Sequence, residues 1–192
     1  MVKVAIFASG TGSNFEFIAD NQALKDAGLE IEVLVCDRPK AAVIKKAQRR
    51  GIPTFIIQPK DFENRSHYEQ VIVTELARYQ IDTILLAGYM RVITSTLLSE
   101  YPMEIINIHP ALLPLFPGIH GIEDAYKAGV SVTGVTIHYI DEGVDTGPII
   151  AQQSIPILPD ETLEQLESKI HDVEHQLYPK VILNLLNNEK GD

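Results

Sequence analysis

An amide and an imidazole lie two residues apart in a short apolar segment, as Asn107 and His109 in the run 105–109. Such a run favours a β-strand, and side chains alternate between the two faces of a strand, so both polar groups point to one side. Further along the chain, the tight acidic loop 141–147 carries Asp145. This loop can bring a carboxylate back to the imidazole, which would gather three polar groups around one point.

These residue types suit the transfer of an acyl-like group between two amines. A positioned amide donates to a developing oxyanion, and an imidazole moves protons near neutral pH. A carboxylate beside the imidazole favours its charged form and holds its ring, which is the role expected of Asp145. The alternative is structural: Asn107 caps a turn, His109 is a hydrogen-bonded core histidine and Asp145 is an ordinary turn residue. Residue types and spacing alone leave both interpretations open.

Two more histidines, His120 and His138, lie in the same region of the sequence. Each is a candidate for an extended part of the site, and each is also compatible with a structural role. A metal centre formed by these histidines and Asp145 is disfavoured, because no helix carries a His-Glu-x-x-His pair and the spacings match no standard ligand set. We therefore expect catalysis without a metal.

The composition limits what the whole chain can be. Its 192 residues fit one domain, 1–192, and 45% hydrophobic with 22% charged residues is ordinary for a globular protein. A formal net charge of −10 gives no support for binding nucleic acid. The opening apolar run is too short for a signal peptide or a membrane span, and the single Cys36 forms no internal disulfide. These features predict a cytoplasmic protein without membrane or nucleic-acid partners, and they leave open whether it is a monomer or a homodimer.

Short apolar runs alternate with helical patterns over the first half of the chain. Each run is apolar throughout, which is typical of parallel strands covered on both faces. Two later runs alternate more and predict antiparallel strands. The expected fold class is α/β: a mostly parallel twisted sheet with helices on both faces, Rossmann-like, with an antiparallel addition in the C-terminal part. Binding sites gather at the carboxyl ends of such strands. The runs are 4–8, 31–36, 54–57 and 83–87, and then 130–140 and 148–157.

The first helix predictions rest on apolar periodicity and on local capping patterns. A helix over 15–27 is expected to begin at a capping box formed by Ser13 and Glu16. A helix of the middle region is expected to begin at a second box, formed by Ser66 and Glu69.

The second half of the chain contains a proline-rich connection and a long closing helix. Three prolines and two glycines between 110 and 121 predict no regular structure there. The closing helix has a single apolar stripe, a cap at Asp160 or Thr162, and a kink or restart at Pro179.

The segment 9–14, Ser-Gly-Thr-Gly-Ser-Asn, has the composition of an anion-binding loop at the start of a helix. Unpaired backbone N–H groups and the helix dipole favour a phosphate there. No Lys follows the second glycine and Phe15 replaces a third glycine, so the loop is neither a Walker A loop nor a dinucleotide fingerprint. A monophosphate suits it better. A plain tight turn is the alternative, and Asp37 after the second strand leaves nucleotide binding open.

Two separated motifs resemble the signature of the 10-formyltetrahydrofolate-dependent formyltransferases. The first is Asn-Ile-His-Pro-Ala-Leu-Leu-Pro at 107–114 with Phe-Pro-Gly at 116–118, and the second is Asp-Glu-Gly-Val-Asp-Thr-Gly-Pro at 141–148. Within this family, the loop 9–14 and the Glu-His-x-x-Tyr-Pro segment at 174–179 are similar to the members that formylate glycinamide ribonucleotide in purine biosynthesis. The resemblance covers essentially the whole chain.

The resemblance implies a role for each matching residue. Gly12, Ser13 and Asn14 would hold the phosphate of glycinamide ribonucleotide, and Glu174 would contact the same substrate. The formyl donor would be 10-formyltetrahydrofolate, bound as a cosubstrate. The segment 90–93 would meet its pteridine, and a guanidinium would meet its glutamate tail. The residues implied in folate binding are Arg65, Met90, Arg91, Val92, Ile93, Asn107, Asp141 and Val144.

The implied mechanism is direct attack of the substrate's neutral amine on the formyl carbon. Asn107 and protonated His109 would stabilise the oxyanion, while Asp145 keeps His109 charged. A formyltetrahydrofolate hydrolase, with water as acceptor, and a methionyl-tRNA formyltransferase are rivals within the family. We expect neither the added N-terminal domain of the first nor the basic C-terminal domain of the second. A non-catalytic nucleotide-binding module would use only the loop 9–14.

Overall fold

The structure is a computed structural model that describes residues 1–189, so residues 190–192 of the predicted domain lie outside the described part. Within residues 1–189, seven strands form one sheet with the order β3-β2-β1-β4-β5-β6-β7 once they are numbered along the chain. The first five pair in parallel and the last two pair antiparallel. The predicted α/β fold with an antiparallel C-terminal addition is confirmed. The strands are β1 (Val2–Phe7), β2 (Leu29–Cys36), β3 (Thr54–Ile56), β4 (Thr83–Leu86), β5 (Ile105–His109), β6 (Val132–Tyr139) and β7 (Ile149–Pro156).

Helices cover both faces of this sheet because its strands are apolar on both sides. Val4 and Ile6 of β1 pack into a core on one face, whereas Ala5 and Phe7 pack into a core on the other. The first core is completed by α1, α3 and α7, and the second by α4 and α5, once the helices are numbered along the chain. The helices are α1 (Ser13–Ala19), α2 (Gln22–Asp26), α3 (Ala42–Arg49), α4 (Arg65–Tyr79), α5 (Ser95–Glu100), α6 (Gly121–Lys127) and α7 (Leu163–Glu189), with a 3₁₀ turn at Pro59–Asp61.

The first predicted helix is divided, and its predicted capping box is wrong. The range 15–27 contains two helices, because Asn21 turns the chain and caps α2 with its side chain. At the start of α1, the N-cap residue is Gly12, and no side chain caps the helix. Glu16 pairs instead with Lys46 and Arg50 of α3, so ion pairs across two helices replace the local bond.

The capping box predicted for α4 is also wrong, because a residue before Ser66 takes the role. Asn64 is the N-cap of α4, and its side chain accepts from the backbone N–H three residues later. Glu69 is buried and reaches across to α5. Its carboxylate accepts from the backbone N–H and hydroxyl of Thr94, at 2.9 and 2.6 Å, and from the N–H of Leu97 at 3.2 Å. Glu69 therefore caps the helix beside its own.

The later elements depart from prediction at two points. The helix α6 begins at Gly121, inside the stretch expected to lack regular structure, and two acidic residues in its first turn suit the helix dipole. The helix α7 continues through Pro179, which is buried, without a restart. Of the two caps considered, Thr162 is the one used: it exchanges hydrogen bonds with Gln165 in a capping box.

Candidate active site

The carboxyl end of β5 opens into a cavity of ≈ 170 Å³. Asn107 and His109 both line this cavity, as the alternation of side chains along the strand predicted. The acidic loop between β6 and β7 adds Asp145 to the same wall. The three polar groups inferred from the sequence therefore come together. Six of the eight residues expected to contact folate also line the cavity, namely Met90, Arg91, Val92, Ile93, Asn107 and Val144.

His109 is hydrogen-bonded at one ring nitrogen and faces a carboxylate at the other, and both partners come from loops rather than from its own strand. Its Nε2–H donates to the carbonyl oxygen of Phe116 at 2.8 Å. Its Nδ1 lies 3.5 Å from Oδ2 of Asp145, which is within ion-pair range but too long for a good hydrogen bond. The same carboxylate oxygen accepts from the backbone N–H of Gly118 at 2.7 Å. Asp145 is thus anchored independently of the imidazole, and Nδ1 is the nitrogen of His109 that remains free to meet a ligand.

The two residues that contact the ring of His109 have an unusual backbone conformation. Phe116 and Asp145 both have a φ of 54°, in the left-handed region that non-glycine residues seldom adopt. Such conformations cost on the order of 1–3 kcal/mol each and persist only where the surroundings impose them. Here they bring a carbonyl and a carboxylate to opposite sides of one imidazole ring.

His138 orients the amide of Asn107. The two residues are directly opposite each other on β5 and β6. The buried His138 donates from Nδ1 to the carbonyl oxygen of Tyr139 at 2.9 Å, so its Nε2 accepts from Nδ2 of Asn107 at 3.2 Å. Burial lowers the pKa of His138 and keeps the ring neutral, as this pattern requires. One N–H of Asn107 is thereby fixed, and the second is left for a ligand.

Three predicted site residues lie outside this cluster. His120 precedes α6, is exposed, and has its nearest charged partner in Glu123 at 3.9 Å. Arg65 lies at the exposed start of α4 and does not line the cavity. Asp141 folds back on its own loop, where its Oδ1 accepts from the hydroxyl of Thr146 at 2.7 Å.

The segment 90–93 is anchored at its first two residues. The backbone N–H of Met90 donates to the hydroxyl of Ser9 at 2.9 Å. The guanidinium of Arg91 donates from Nε to Oδ2 of Asp37 at 2.8 Å. This contact counts against the nucleotide-binding alternative. The carboxylate of Asp37, which a nucleotide site would need for the ribose, is bound to Arg91 instead. After the segment, the bonds between Glu69 and Thr94 fix the start of α5.

The predicted anion loop lies where β1 passes into α1. Gly12 has a φ of 75°, and a side chain at this position would overlap Val43 of α3. Two helix N-termini without side-chain caps, those of α1 and α3, therefore approach each other at the loop. Asn14 is the last residue of the loop; its Nδ2 donates to Oε2 of Glu174 at 3.3 Å, and its Oδ1 is buried without a protein partner among residues 1–189. The loop thus contacts the last helix as well as the first.

A family model described as formyl transferase matches residues 2–182. The chain belongs to the formyl transferase family. The phosphoribosylglycinamide formyltransferase of Bacillus subtilis (strain 168) is 50% identical over 193 residues, which cover 100% of this chain and 99% of the relative. Glycinamide ribonucleotide transformylase 1 from Geobacillus kaustophilus has 53% identity and a TM-score of 0.92, covering 97% of this chain and 99% of that one. The phosphoribosylglycinamide formyltransferase of Bacillus halodurans has 49% identity and a TM-score of 0.93, covering 96% and 95%.

This formyl transferase also uses groups to which no sequence pattern pointed. The carbonyl of Phe116 and the N–H of Gly118 are backbone groups, and their roles depend on the loop conformation rather than on residue type. Thr136 is a buried hydroxyl in the apolar strand β6, and its unusual position is the one signal that could have identified it.

No cluster of three or more potential metal ligands occurs among residues 1–189. Within the same range, no helix combines the length and apolar character needed to cross a membrane.

Proposed function

We propose that this formyl transferase moves the formyl group of 10-formyltetrahydrofolate to the amine of 5'-phosphoribosylglycinamide in purine biosynthesis. The products are N-formylglycinamide ribonucleotide and tetrahydrofolate. The observation that carries the proposal is the convergence of Asn107, His109 and Asp145 in one cavity. The names of the three relatives described above, each about half identical to this chain over almost its whole length, support the choice of acceptor.

The free N–H of Asn107 is the first donor to the developing oxyanion. His138 holds the amide so that Nδ2, and not the amide oxygen, faces its ring. Protonated His109 is the second donor, through the Nδ1–H that Asp145 approaches without binding tightly. A preorganised pair of donors needs no rearrangement as charge develops, which is the main source of rate enhancement in acyl transfer.

Asp145 places a carboxylate 3.5 Å from Nδ1 of His109, as a counter-charge for the imidazolium that donates to the oxyanion. The amine of the ribonucleotide attacks the formyl carbon and forms a C–N bond. The tetrahedral intermediate then breaks its bond to the folate nitrogen, which receives the proton lost by the amine, through water near Asp145. No covalent enzyme intermediate forms and no metal takes part.

The folate occupies the cavity between the segment 90–93 and the loop 141–147. The backbone of residues 90–93 meets the pteridine edge, and Val144 packs against it from the opposite wall. Asp141 shapes the loop through its bonds to Gly143 and Thr146. Arg65, exposed at the start of α4, lies outside the cavity and meets the carboxylates of the glutamate tail.

The ribonucleotide binds beside the folate, with its phosphate on the anion loop. Gly12, Ser13 and Asn14 present backbone N–H groups at the N-terminus of α1. The buried and unpaired Oδ1 of Asn14 is a further polar group that a ligand or water would satisfy. Glu174, bonded to Asn14, meets the ribose hydroxyls.

The test follows tetrahydrofolate release from 10-formyltetrahydrofolate with and without glycinamide ribonucleotide. Release is expected only with the ribonucleotide; release without it would favour a hydrolase.

His109→Ala should lower kcat by about 10²–10³-fold with little change in KM, because the donor acts in the transition state. Lys127→Gln, an exposed change on α6, is the control. Unchanged turnover in His109→Ala would contradict the assignment.

A further inference from the structure

Ser9 joins the two segments to which the proposed function assigns the two substrates. It is the first residue of the anion loop, and only 1% of its surface is exposed. Its backbone N–H donates to the carbonyl oxygen of Gly88 at 2.9 Å, and its hydroxyl accepts from the backbone N–H of Met90 at 2.9 Å. Among residues 1–189, no other hydrogen bond connects the loop 9–14 with the range 88–93.

These two bonds extend the pairing of β1 and β4 beyond the ends of the strands. Phe7 and Leu86 are the last paired residues, and the N–H of Ala87 still donates to the carbonyl of Phe7 at 2.8 Å. At Gly88, whose φ is 81°, the chain turns away from β1. The next bond is therefore made by a side chain, the hydroxyl of Ser9, instead of by a second backbone carbonyl.

The hydroxyl of Ser9 is not placed to bind a substrate itself. It is buried, and within residues 1–189 the lining of the cavity does not include Ser9. The groups that the anion loop offers to a phosphate are the backbone N–H groups at the start of α1. Ser9 therefore acts on the site through Met90, which lines the cavity.

Each of the two segments also has anchors of its own. In the anion loop, the carbonyl of Gly10 accepts from the N–H of Val43 at 3.2 Å. In the other segment, the ring of Tyr89 packs edge-on against Phe7 with 5.2 Å between centroids, and its hydroxyl lies 2.7 Å from that of Tyr68. Both segments therefore stay ordered without the hydroxyl bond, and what this bond adds is their position relative to each other.

The proposed reaction depends on that relative position. The amine belongs to a ligand whose phosphate is held by the loop 9–14, whereas the formyl carbon belongs to a ligand held by the segment 90–93. The two reacting atoms have to approach to about 3–3.5 Å, and a misplacement of about 1 Å can lower a rate by about 10²-fold. A bond between the two segments thus affects the chemical step more than the binding of either ligand.

We propose that Ser9 is a positioning residue for formyl transfer: its hydroxyl fixes the anion loop relative to the segment 90–93 and so sets the distance between amine and formyl carbon. The inference rests on the proposed function, since it takes the phosphate to bind the loop and the pteridine to bind the segment. It gives the loop a second task besides anion binding.

The experiment uses Ser9→Ala, which keeps the backbone bond to Gly88 and removes the bond to Met90. We expect kcat for formyl transfer to fall about tenfold to a hundredfold. The Kd values of glycinamide ribonucleotide alone and of tetrahydrofolate alone, measured by calorimetry, should change less than about threefold. Ser9→Cys, which keeps a weak acceptor, is the second variant and should show a smaller fall in kcat.

A linked ligand gives a readout that does not depend on catalysis. A compound that joins the amine of the ribonucleotide covalently to the folate nitrogen occupies both sites only at one spacing. Its Kd should rise about tenfold in Ser9→Ala, more than the Kd of either separate ligand. A linked compound that binds the variant and the unmodified protein equally well would contradict the proposal.

Thr83→Val is the matched control for the loss of one hydrogen bond. The hydroxyl of Thr83 donates to Oε2 of Glu104 at 2.8 Å, and Thr83 begins β4, at the edge of the sheet opposite the cavity. Denaturant unfolding should show a loss of stability in both Thr83→Val and Ser9→Ala. Only Ser9→Ala should lower kcat.

The outcomes separate this inference from the proposed function. A fall in kcat no larger than in Thr83→Val would overturn the role of Ser9, and so would a rise in the Kd of one separate ligand as large as the fall in kcat. Either result leaves the proposed function intact, provided that the unmodified protein transfers the formyl group to the ribonucleotide. Absence of that transfer in the unmodified protein would overturn both.

Discussion

Thr136 holds the proline-rich loop that supplies Phe116, the hydrogen-bond acceptor of His109. It is fully buried on β6, where its hydroxyl donates to the carbonyl of Ala111 at 2.6 Å. The same oxygen accepts from the backbone N–H of Leu113 at 3.1 Å and from Nε2 of Gln152 at 2.9 Å. One hydroxyl therefore satisfies two backbone groups of the loop and one side chain.

Thr136→Val keeps the shape of the side chain and removes all three bonds. Gln152 retains its bond to the carbonyl of Leu113, but the N–H of Leu113 and the carbonyl of Ala111 lose their partners in a buried place. Each orphaned buried group costs about 1–3 kcal/mol. Two such groups should lower the free energy of unfolding by about 2–6 kcal/mol. We expect kcat to fall as well, because the loop continues to Phe116.

The assay is denaturant unfolding of the folded protein together with kcat for formyl transfer. Thr133→Val is the matched control: Thr133 is buried on the same strand, but its hydroxyl has no partner among residues 1–189. The control should be neutral or stabilising, since it removes an unsatisfied polar group. A loss below about 1 kcal/mol in Thr136→Val, or an equal loss in both variants, would refute the reasoning.

Two further predictions concern the anion loop and the amide of the active site. Gly12→Ala should raise the KM for the ribonucleotide more than about tenfold and spare the KM for folate, because the new methyl group would overlap Val43. Gly51→Ala, with a φ of 69° but no atom in the way, controls for backbone strain. The pKa of His138 is lowered by burial, so its contribution to stability is present above the unfolded pKa of ~6.5 and is lost as pH falls. Between pH 7 and pH 5, denaturant unfolding should show a smaller loss of unfolding free energy in His138→Gln than in the unmodified protein. Equal losses in the two proteins would count against a buried neutral ring.

The geometry of β5 was predictable from the sequence, whereas the partners of its side chains were not. Alternation along 105–109 placed Asn107 and His109 on one wall, because that rule depends only on strand geometry. The bond between Asn107 and His138 depends on the antiparallel register of β5 and β6, which no local pattern encodes. The left-handed backbone of Phe116 is likewise imposed by tertiary contacts rather than by residue type.

The two wrong capping boxes have a common physical cause. Glu16 and Glu69 both occupy the position that a local box requires, three residues after a serine. Each finds stronger partners from a distant segment: the cations of α3 for Glu16, and the start of α5 for Glu69. A capping pattern measures local preference, so it fails where a carboxylate is used in tertiary structure.

The bond between Asn14 and Glu174 also has a consequence for biosynthesis of the protein. The two residues are 160 positions apart, and ribosomes make the chain from its N-terminus. Until α7 has been synthesised, the core on one face of the sheet lacks the side chains that α7 contributes, and the anion loop lacks Glu174. The contact between Asn14 and Glu174 therefore forms only after α7 has been made. Over that interval the nascent chain exposes apolar surface that α7 later covers, which is the kind of surface that chaperones bind.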